Sequence, residues 1–476
     1  MLLAQGLIAV TAAAQQLAID HPPRIGPAPA LKIPAVEQAS LPNGLKLYVI
    51  EQHEVPVVQL VLSVRGGGRS DQGQPGLASF AADMLDEGAD TLDAFGIAAQ
   101  AAYLGASLAT SADWDRTVVR LKVPTRSLTP AVNLMATVAL KPSFRSTEVN
   151  RQRDLLLAAI LQQRDEPDVV ASLAFKALVF PDGHPYHKPL IGDSASTSRL
   201  DSVMVRQFYR RTFQPDQATM IVSGDITLDQ ARRILDPTFG AWRATRSDSA
   251  GAGPGGEAVP AVSARNTSVY LVDKPGAAQS VIMIGGPGVD RKSPDYYALE
   301  VMNTLLGGSF SSRLNQNLRE TKGYTYGAAS GFAYRPLPGP FVAQAAVRAD
   351  VTDSSLIQFF REFRRIRDSV VTPRELERAK SFIALQLPGN FETASDLATE
   401  LSGLLVFGLP LKYYQSYIPK IMRVTSADVQ RVARQYLQPG KMAVVVVGDV
   451  AKIRSSIEAL KMGKVEVVDM EGRPVK

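Results

Sequence analysis

With four histidines and no cysteine in 476 residues, this chain has few side chains that could do chemistry. The missing cysteines remove thiol nucleophiles, disulfides and Cys-rich metal sites. His21 lies in a Pro/Ala-rich stretch and His53 in a turn after a strand. His184 and His187, in His184-Pro185-Tyr186-His187 with Asp182 and Asp193 nearby, form the close pair. Imidazoles are common metal ligands, but Pro185 bars the helix that would align them. Ser79 and Asp83 are four apart in Gly76-Leu77-Ala78-Ser79-Phe80-Ala81-Ala82-Asp83-Met84, so on a helix they share a face. They make a poor metal site: a catalytic zinc takes three nitrogen, sulfur or carboxylate ligands and a base beside its water. No histidine lies near enough in sequence to make Ser79 a nucleophile. Arg319 and Tyr326, seven apart, are better equipped. A phenol donates to a peptide carbonyl or a developing oxyanion, and a guanidinium is a permanent planar donor. Packing is the alternative role. Tyr324, Tyr326, Phe332 and Tyr334 alternate along one strand face, and Arg319 stands where a helix-end cation would.

The first of these segments resembles the zinc helix of the insulinase/pitrilysin peptidases, whose inverted motif His-x-x-Glu-His sits between Gly-Leu-Ala and Met. On that frame Ser79 replaces the first histidine, Ala82 the glutamate and Asp83 the second histidine. The family's third ligand, a glutamate in a long helix, falls at Ala159, seventy-six residues beyond Asp83, within Glu148–Ile160. The resemblance therefore implies the scaffold without its metal site, and no metal or cofactor in this chain. The second segment resembles the family's Ser-Arg-Leu…Leu-Arg-Glu…Gly-x-x-Tyr. Here it reads Ser312-Arg313-Leu314, Leu318-Arg319-Glu320 and Gly323-Tyr324-Thr325-Tyr326. The family's substrate-contacting arginine and tyrosine carry over to Arg319 and Tyr326. The family also has a similar His-Pro-Tyr loop with no metal role.

The elements that must position these residues occur twice. Lys46–Glu51 is echoed by Ser268–Asp273 and Val61–Arg69 by Met283–Arg291; Tyr48 to Tyr270 and Arg69 to Arg291 are both 222 residues apart. Ala218–Asp225 is echoed by Met442–Asp449, with 224 residues between the aspartates. A near-constant offset marks a duplicated domain. The predicted organisation is a signal segment and Pro/Ala-rich tether over 1–36, a first half over 37–243, a Gly/Ser/Ala-rich flexible linker over 244–264 and a second half over 265–476. Helices are predicted over Ser127–Lys141, Thr147–Asp165 and Pro167–Phe180, and over Thr352–Ser369, Pro373–Leu387 and Glu392–Phe407. Ser309–Glu320 reads as a further helix broken by Gly323, followed by a strand over Tyr324–Tyr334. Runs of strands then runs of helices give an α+β fold. The resemblance, spanning roughly residues 37–460, implies two similar halves, each an antiparallel sheet with packed helices, forming a clam-like cleft.

Composition bounds the partners. Lys plus Arg number 52 against 46 Asp plus Glu, a net +6 spread along the chain. The basic clusters, Arg206 with Arg210 and Arg211, and Arg361 to Arg367, lie in amphipathic patterns and read as solvated faces, not as a nucleic-acid site. The apolar Met1–Val10, followed by Ala12-Ala13-Ala14, is too short to span a bilayer. With the absence of cysteine it points to export, hence to a periplasmic or otherwise exported protein. An ordered N-terminal segment packed on the fold is the alternative. Within the family some members divide the work between two similar chains. The implied function is thus a non-catalytic, substrate-binding subunit of a heterodimeric zinc metallopeptidase. Its partner would be a homologous chain with an intact His-x-x-Glu-His motif holding the zinc, and its substrates unfolded peptides. The alternative is a structural or binding protein on the same scaffold with no proteolytic role.

Overall fold

A computed structural model describes residues 33–244, 259–262 and 266–475. The export segment, most of the tether with His21, and most of the linker lie outside the described residues. The first half contains strands β1 (Glu37–Ser40), β2 (Lys46–Glu51), β3 (Val57–Arg65), β4 (Gly88–Ala89), β5 (Leu92–Asp93), β6 (Ser107–Ala112), β7 (Arg116–Pro124) and β8 (Ala218–Gly224). Its helices are α1 (Leu77–Asp83), α2 (Ala94–Tyr103), α3 (Leu128–Leu140), α4 (Ser146–Gln163), α5 (Pro167–Val179), α6 (Ser194–Thr197), α7 (Ser202–Thr212) and α8 (Leu228–Leu235). The second half has β9 (Ser268–Asp273), β10 (Gln279–Pro287), β11 (Thr325–Phe332), β12 (Pro340–Arg348), β13 (Ala443–Gly448) and β14 (Lys464–Val467). Its helices are α9 (Tyr296–Leu306), α10 (Arg313–Asn315), α11 (Thr352–Asp368), α12 (Pro373–Gln386), α13 (Ala394–Phe407), α14 (Tyr417–Arg423), α15 (Ser426–Tyr436) and α16 (Val450–Ala459).

The six helices predicted in the two halves stand within two residues of their expected ends, as the apolar spacing required. Two six-stranded sheets run β1-β2-β8-β3-β7-β6 and β11-β12-β10-β13-β9-β14. Five strands of each are equivalent in order, so the duplication read from the sequence is a duplication of topology. The sheets are not purely antiparallel. β2 pairs parallel with β8, and β9 parallel with β13 and β14. The physical reason is the crossover: β8 and β13 return after the helices of their halves and join β2 and β9 running the same way. Among the described residues no helix is long and apolar enough to cross a membrane.

Each sheet buries both faces, and the second face is covered from the other half. On the first sheet Leu60, Leu62, Met220 and Val222 face that half's own helices, while Val61 and Ile221 meet Leu397, Ala398 and Leu401 of α13. On the second sheet Ile282, Ile284, Val444 and Val446 face inward to their own core, while Val281, Val445 and Val447 meet Val170, Ala171, Ala174 and Phe175 of α5. Alternation along a strand explains why neighbouring residues serve different cores. Two-sided burial explains why Val444–Val447 is an unbroken apolar run. The equivalent helices α5 and α13 are thus exchanged, each packing on the sheet of the other half.

Candidate functional site

Arg319 and Tyr326 are brought to one place, the wall of a cavity of about 480 Å³ at the edge of the second sheet. The backbone that presents them differs from the regular helix and strand predicted. Ser309–Ser312 is a turn, in which the Ser309 hydroxyl donates to Thr304 O at 3.1 Å and Asn315 Nδ2 donates to Phe310 O at 2.7 Å. The helix therefore starts at Arg313, and from Gln316 to Thr321 it is a π-helix, a widening frequent at functional sites. Gly323, at φ +63°, ends it in the left-handed region where glycine is favoured. Arg319 leaves the π turn with its guanidinium 4.5 Å from the Phe310 ring centroid and 3.4 Å from Glu320 Oε1. The aromatic face and the carboxylate orient it without removing it from the cavity.

The two-residue alternation expected over Tyr324–Tyr334 also breaks. β11 pairs Thr325 with Val347 but Ala328 with Ala345, leaving Tyr326 and Gly327 as a bulge. The Thr325 hydroxyl pins it, 2.6 Å from Ala346 O and 2.8 Å from Gly327 O, while Asn315 Oδ1 accepts from Ala328 N at 3.2 Å. Phe332 and Tyr334 turn to the core as the alternation predicts. Tyr326 does not: it is 91% exposed, while every other tyrosine except Tyr103 is buried or half-buried. Packing does not account for it. Sequence reading missed Phe310, 64% exposed on the same wall, and Asp168, which α5 contributes from the first half. An apolar residue among serines signalled the former; nothing local signalled the latter.

The degenerate motif folds as α1. Asp71 accepts from Gly76 N at 2.9 Å and Ala78 N at 2.8 Å, capping the helix where Gly76 turns at φ +93°. Ala82 is buried, Ser79 half-buried and Asp83 exposed, and Ala159 lies exposed on α4. Desolvation by the surrounding protein, then the charges of Asp86 and Glu87, push the Asp83 carboxyl up to about 6. Glu87 is engaged by Arg151 and Gln152 of α4. Asp83 is the one ligand-competent side chain among the four motif positions, and no three His, Cys, Asp or Glu among the described residues could hold a metal together. These residues do not suit zinc. The histidine loop is occupied with its own backbone. His184 stacks on Phe180 and its Nδ1 accepts from Tyr186 N at 3.1 Å; His187 Nδ1 lies 2.8 Å from Phe180 O. Burial, then His187, lowers His184 to about 4. Asp193 caps α6 and pairs with Lys188.

Residues 47–191 match the family described as insulinase (peptidase family M16), and residues 200–383 match the peptidase M16 inactive domain. The chain belongs to peptidase family M16. This M16 chain is 23% identical over 419 residues to a non-peptidase homolog, YmxG, of Helicobacter pylori, covering 86% of this chain and 94% of that one. It is 28% identical over 432 residues to an uncharacterized zinc protease of Mycobacterium tuberculosis, covering 87% and 94%. A crystal structure described as a peptidase M16 inactive domain from Pseudomonas fluorescens superposes with a TM-score of 0.79 at 27% identity, over 87% of this M16 chain and 98% of that chain.

Proposed function

We propose that this M16 chain is the non-catalytic, peptide-binding subunit of a two-chain zinc peptidase, presenting Arg319 and Tyr326 to a zinc site held by a homologous chain with an intact His-x-x-Glu-His motif. The observation that carries this reading is the exposure of Tyr326 on the same cavity wall as Arg319, in a chain whose own motif positions keep one usable ligand. β11 is an edge strand of its sheet; Ala328 N and Ser330 N already donate to Asn315 Oδ1 and Gly307 O, so an extended peptide pairs with other main-chain groups of the strand. Gly327, Ala328, Ala329, Ala345 and Ala346 line the cavity. Small side chains there leave room for varied substrate residues. The Tyr326 hydroxyl then donates to the carbonyl oxygen as charge develops on it, and Arg319 holds the neighbouring main chain.

The test is the reconstituted pair. In complex with a zinc-bearing partner, Tyr326→Phe is expected to lose about a hundredfold in kcat, ~3 kcal/mol for one transition-state donor. Arg319→Ala is expected to raise KM as well as lower kcat. Wild-type rates from both fully assembled variants would transfer the reading to a structural or binding protein with no proteolytic role. We further place the protein in the periplasm or outside the cytosol, on its apolar first residues and lack of cysteine. A cytosolic product still beginning at Met1 would contradict that.

A further inference from the structure

Arg319 and Tyr326 share a cavity wall, yet among the described residues no hydrogen bond joins their side chains. Their mutual placement must come from what carries them. Arg319 rests on the Phe310 ring, 4.5 Å from its guanidinium, and Tyr326 rides the bulge of β11 that closes at Ala328. Asn315 is bonded to both supports. Its Nδ2 donates to Phe310 O at 2.7 Å, and its Oδ1 accepts from Ala328 N at 3.2 Å. Phe310 O can only accept and Ala328 N can only donate, so the amide has one orientation. No other side chain among the described residues bonds both the Ser309–Ser312 turn and the bulge. The Ser309 hydroxyl and the Arg378 guanidinium hold the turn alone, and the Thr325 hydroxyl holds the bulge alone.

Asn315 is 4% exposed, so water does not compete for either bond, and breaking one leaves a buried polar group unmatched. We propose that Asn315 is the positioning residue of this site, setting the guanidinium and the phenol relative to each other through the two ends of its amide. The role rests on the reading of Arg319 and Tyr326 as the pair that meets substrate. The two ends have separable effects. Nδ2 acts through Phe310 on Arg319, hence on binding of the peptide main chain. Oδ1 acts through the bulge on Tyr326, hence on the donor to the developing oxyanion.

Steady-state kinetics of the assembled two-chain complex test this with two variants, run beside Arg319→Ala and Tyr326→Phe. Asn315→Asp keeps an oxygen for Ala328 N but sets a second oxygen, without a proton, against Phe310 O. It should raise KM about fivefold, the loss of one hydrogen bond, and act mainly there. Burial raises the pKa of a carboxyl at this position, and the protonated acid donates to Phe310 O again. The ratio of variant to wild-type KM should therefore fall toward one as the pH is lowered from about 8 to about 5. Asn315→Leu loses both bonds. It should lower kcat about tenfold or more by misplacing Tyr326 and raise KM, with a ratio to wild type that does not change with pH. If Arg319→Ala and Tyr326→Phe are impaired while Asn315→Leu matches wild type, or if Asn315→Asp loses kcat and KM as Asn315→Leu does at every pH, the positioning role is overturned and the pair stands. If all four variants match wild type, the reading of the pair fails and this role fails with it. Should Asn315→Leu not fold, the pH dependence of the Asn315→Asp ratio decides alone.

Discussion

Truncating Phe175 tests the exchange of α5 and α13 directly. The residue belongs by sequence to the first half, yet its side chain, 2% exposed, packs with Val281, Val445 and Val447 of the second. A Cβ placed on Gly285 would stand 3.1 Å from its ring, so the ring abuts the backbone of β10 itself. β10 is fixed between β12 and β13 and cannot move in to fill the gap. Phe175→Ala therefore leaves most of its cavity open, and the expected cost is about 3–5 kcal/mol, the range for a buried Phe→Ala that does not collapse. That is a large part of the ~5–15 kcal/mol by which a native chain is stable. Urea unfolding should show the lowered midpoint. Hydrogen exchange should place the loss in β10 and β13, more than a hundred residues away in sequence. Leu401→Ala on α13 is the mirror experiment and should loosen β3 and β8 by about 2–5 kcal/mol. If β10 and β13 keep wild-type protection in folded Phe175→Ala, or the stability loss is under about 1 kcal/mol, the exchange is not what holds the halves together.

The isolated chain is expected to carry no stoichiometric zinc after dialysis, because of Ser79, Ala82, Asp83 and Ala159 only Asp83 can ligate it; one zinc per chain by elemental analysis, lost on changing Asp83, would refute this. His184 should make the fold acid-sensitive. Its pKa is about 4 folded against 6.5 unfolded, so the unfolded chain binds the proton first, and stability, full above pH 6.5, is lost as pH falls toward 4. His184→Asn, whose amide oxygen can still accept from Tyr186 N, should flatten that part of the melting-temperature profile; parallel curves for the two proteins would dismiss the histidine as the cause.

Much of this was legible in the residues. The helices followed from apolar spacing, and the twofold architecture from Tyr48 and Tyr270 standing at one offset with Arg69 and Arg291. What escaped has definite physical causes. Ser309–Ser312 carries an acceptable helical pattern, but the Ser309 hydroxyl bonds Thr304 O and Asn315 bonds Phe310 O, and the helix starts only at Arg313. The bulge at Tyr326 depends on a Thr325 hydroxyl reaching Ala346 across the sheet, a long-range contact that no two-residue period encodes. Periodicity showed that Pro167–Phe180 is a helix, and the structure gives it an apolar face of Val170, Ala171, Ala174 and Phe175. Periodicity could not show whose sheet that face would cover.

The traded helices also change what the joint between the halves is for. Two equal pieces that each lend a helix to the other form, within one chain, the isologous contact by which separate subunits make a symmetric dimer. The covalent connection then only raises the effective concentration of one piece near the other. A chain cut between residues 244 and 259 should remain assembled, and the two fragments made separately should find each other and regain the fold. Either fragment alone would display a bare sheet face and an orphan helix, a surface suited to self-association.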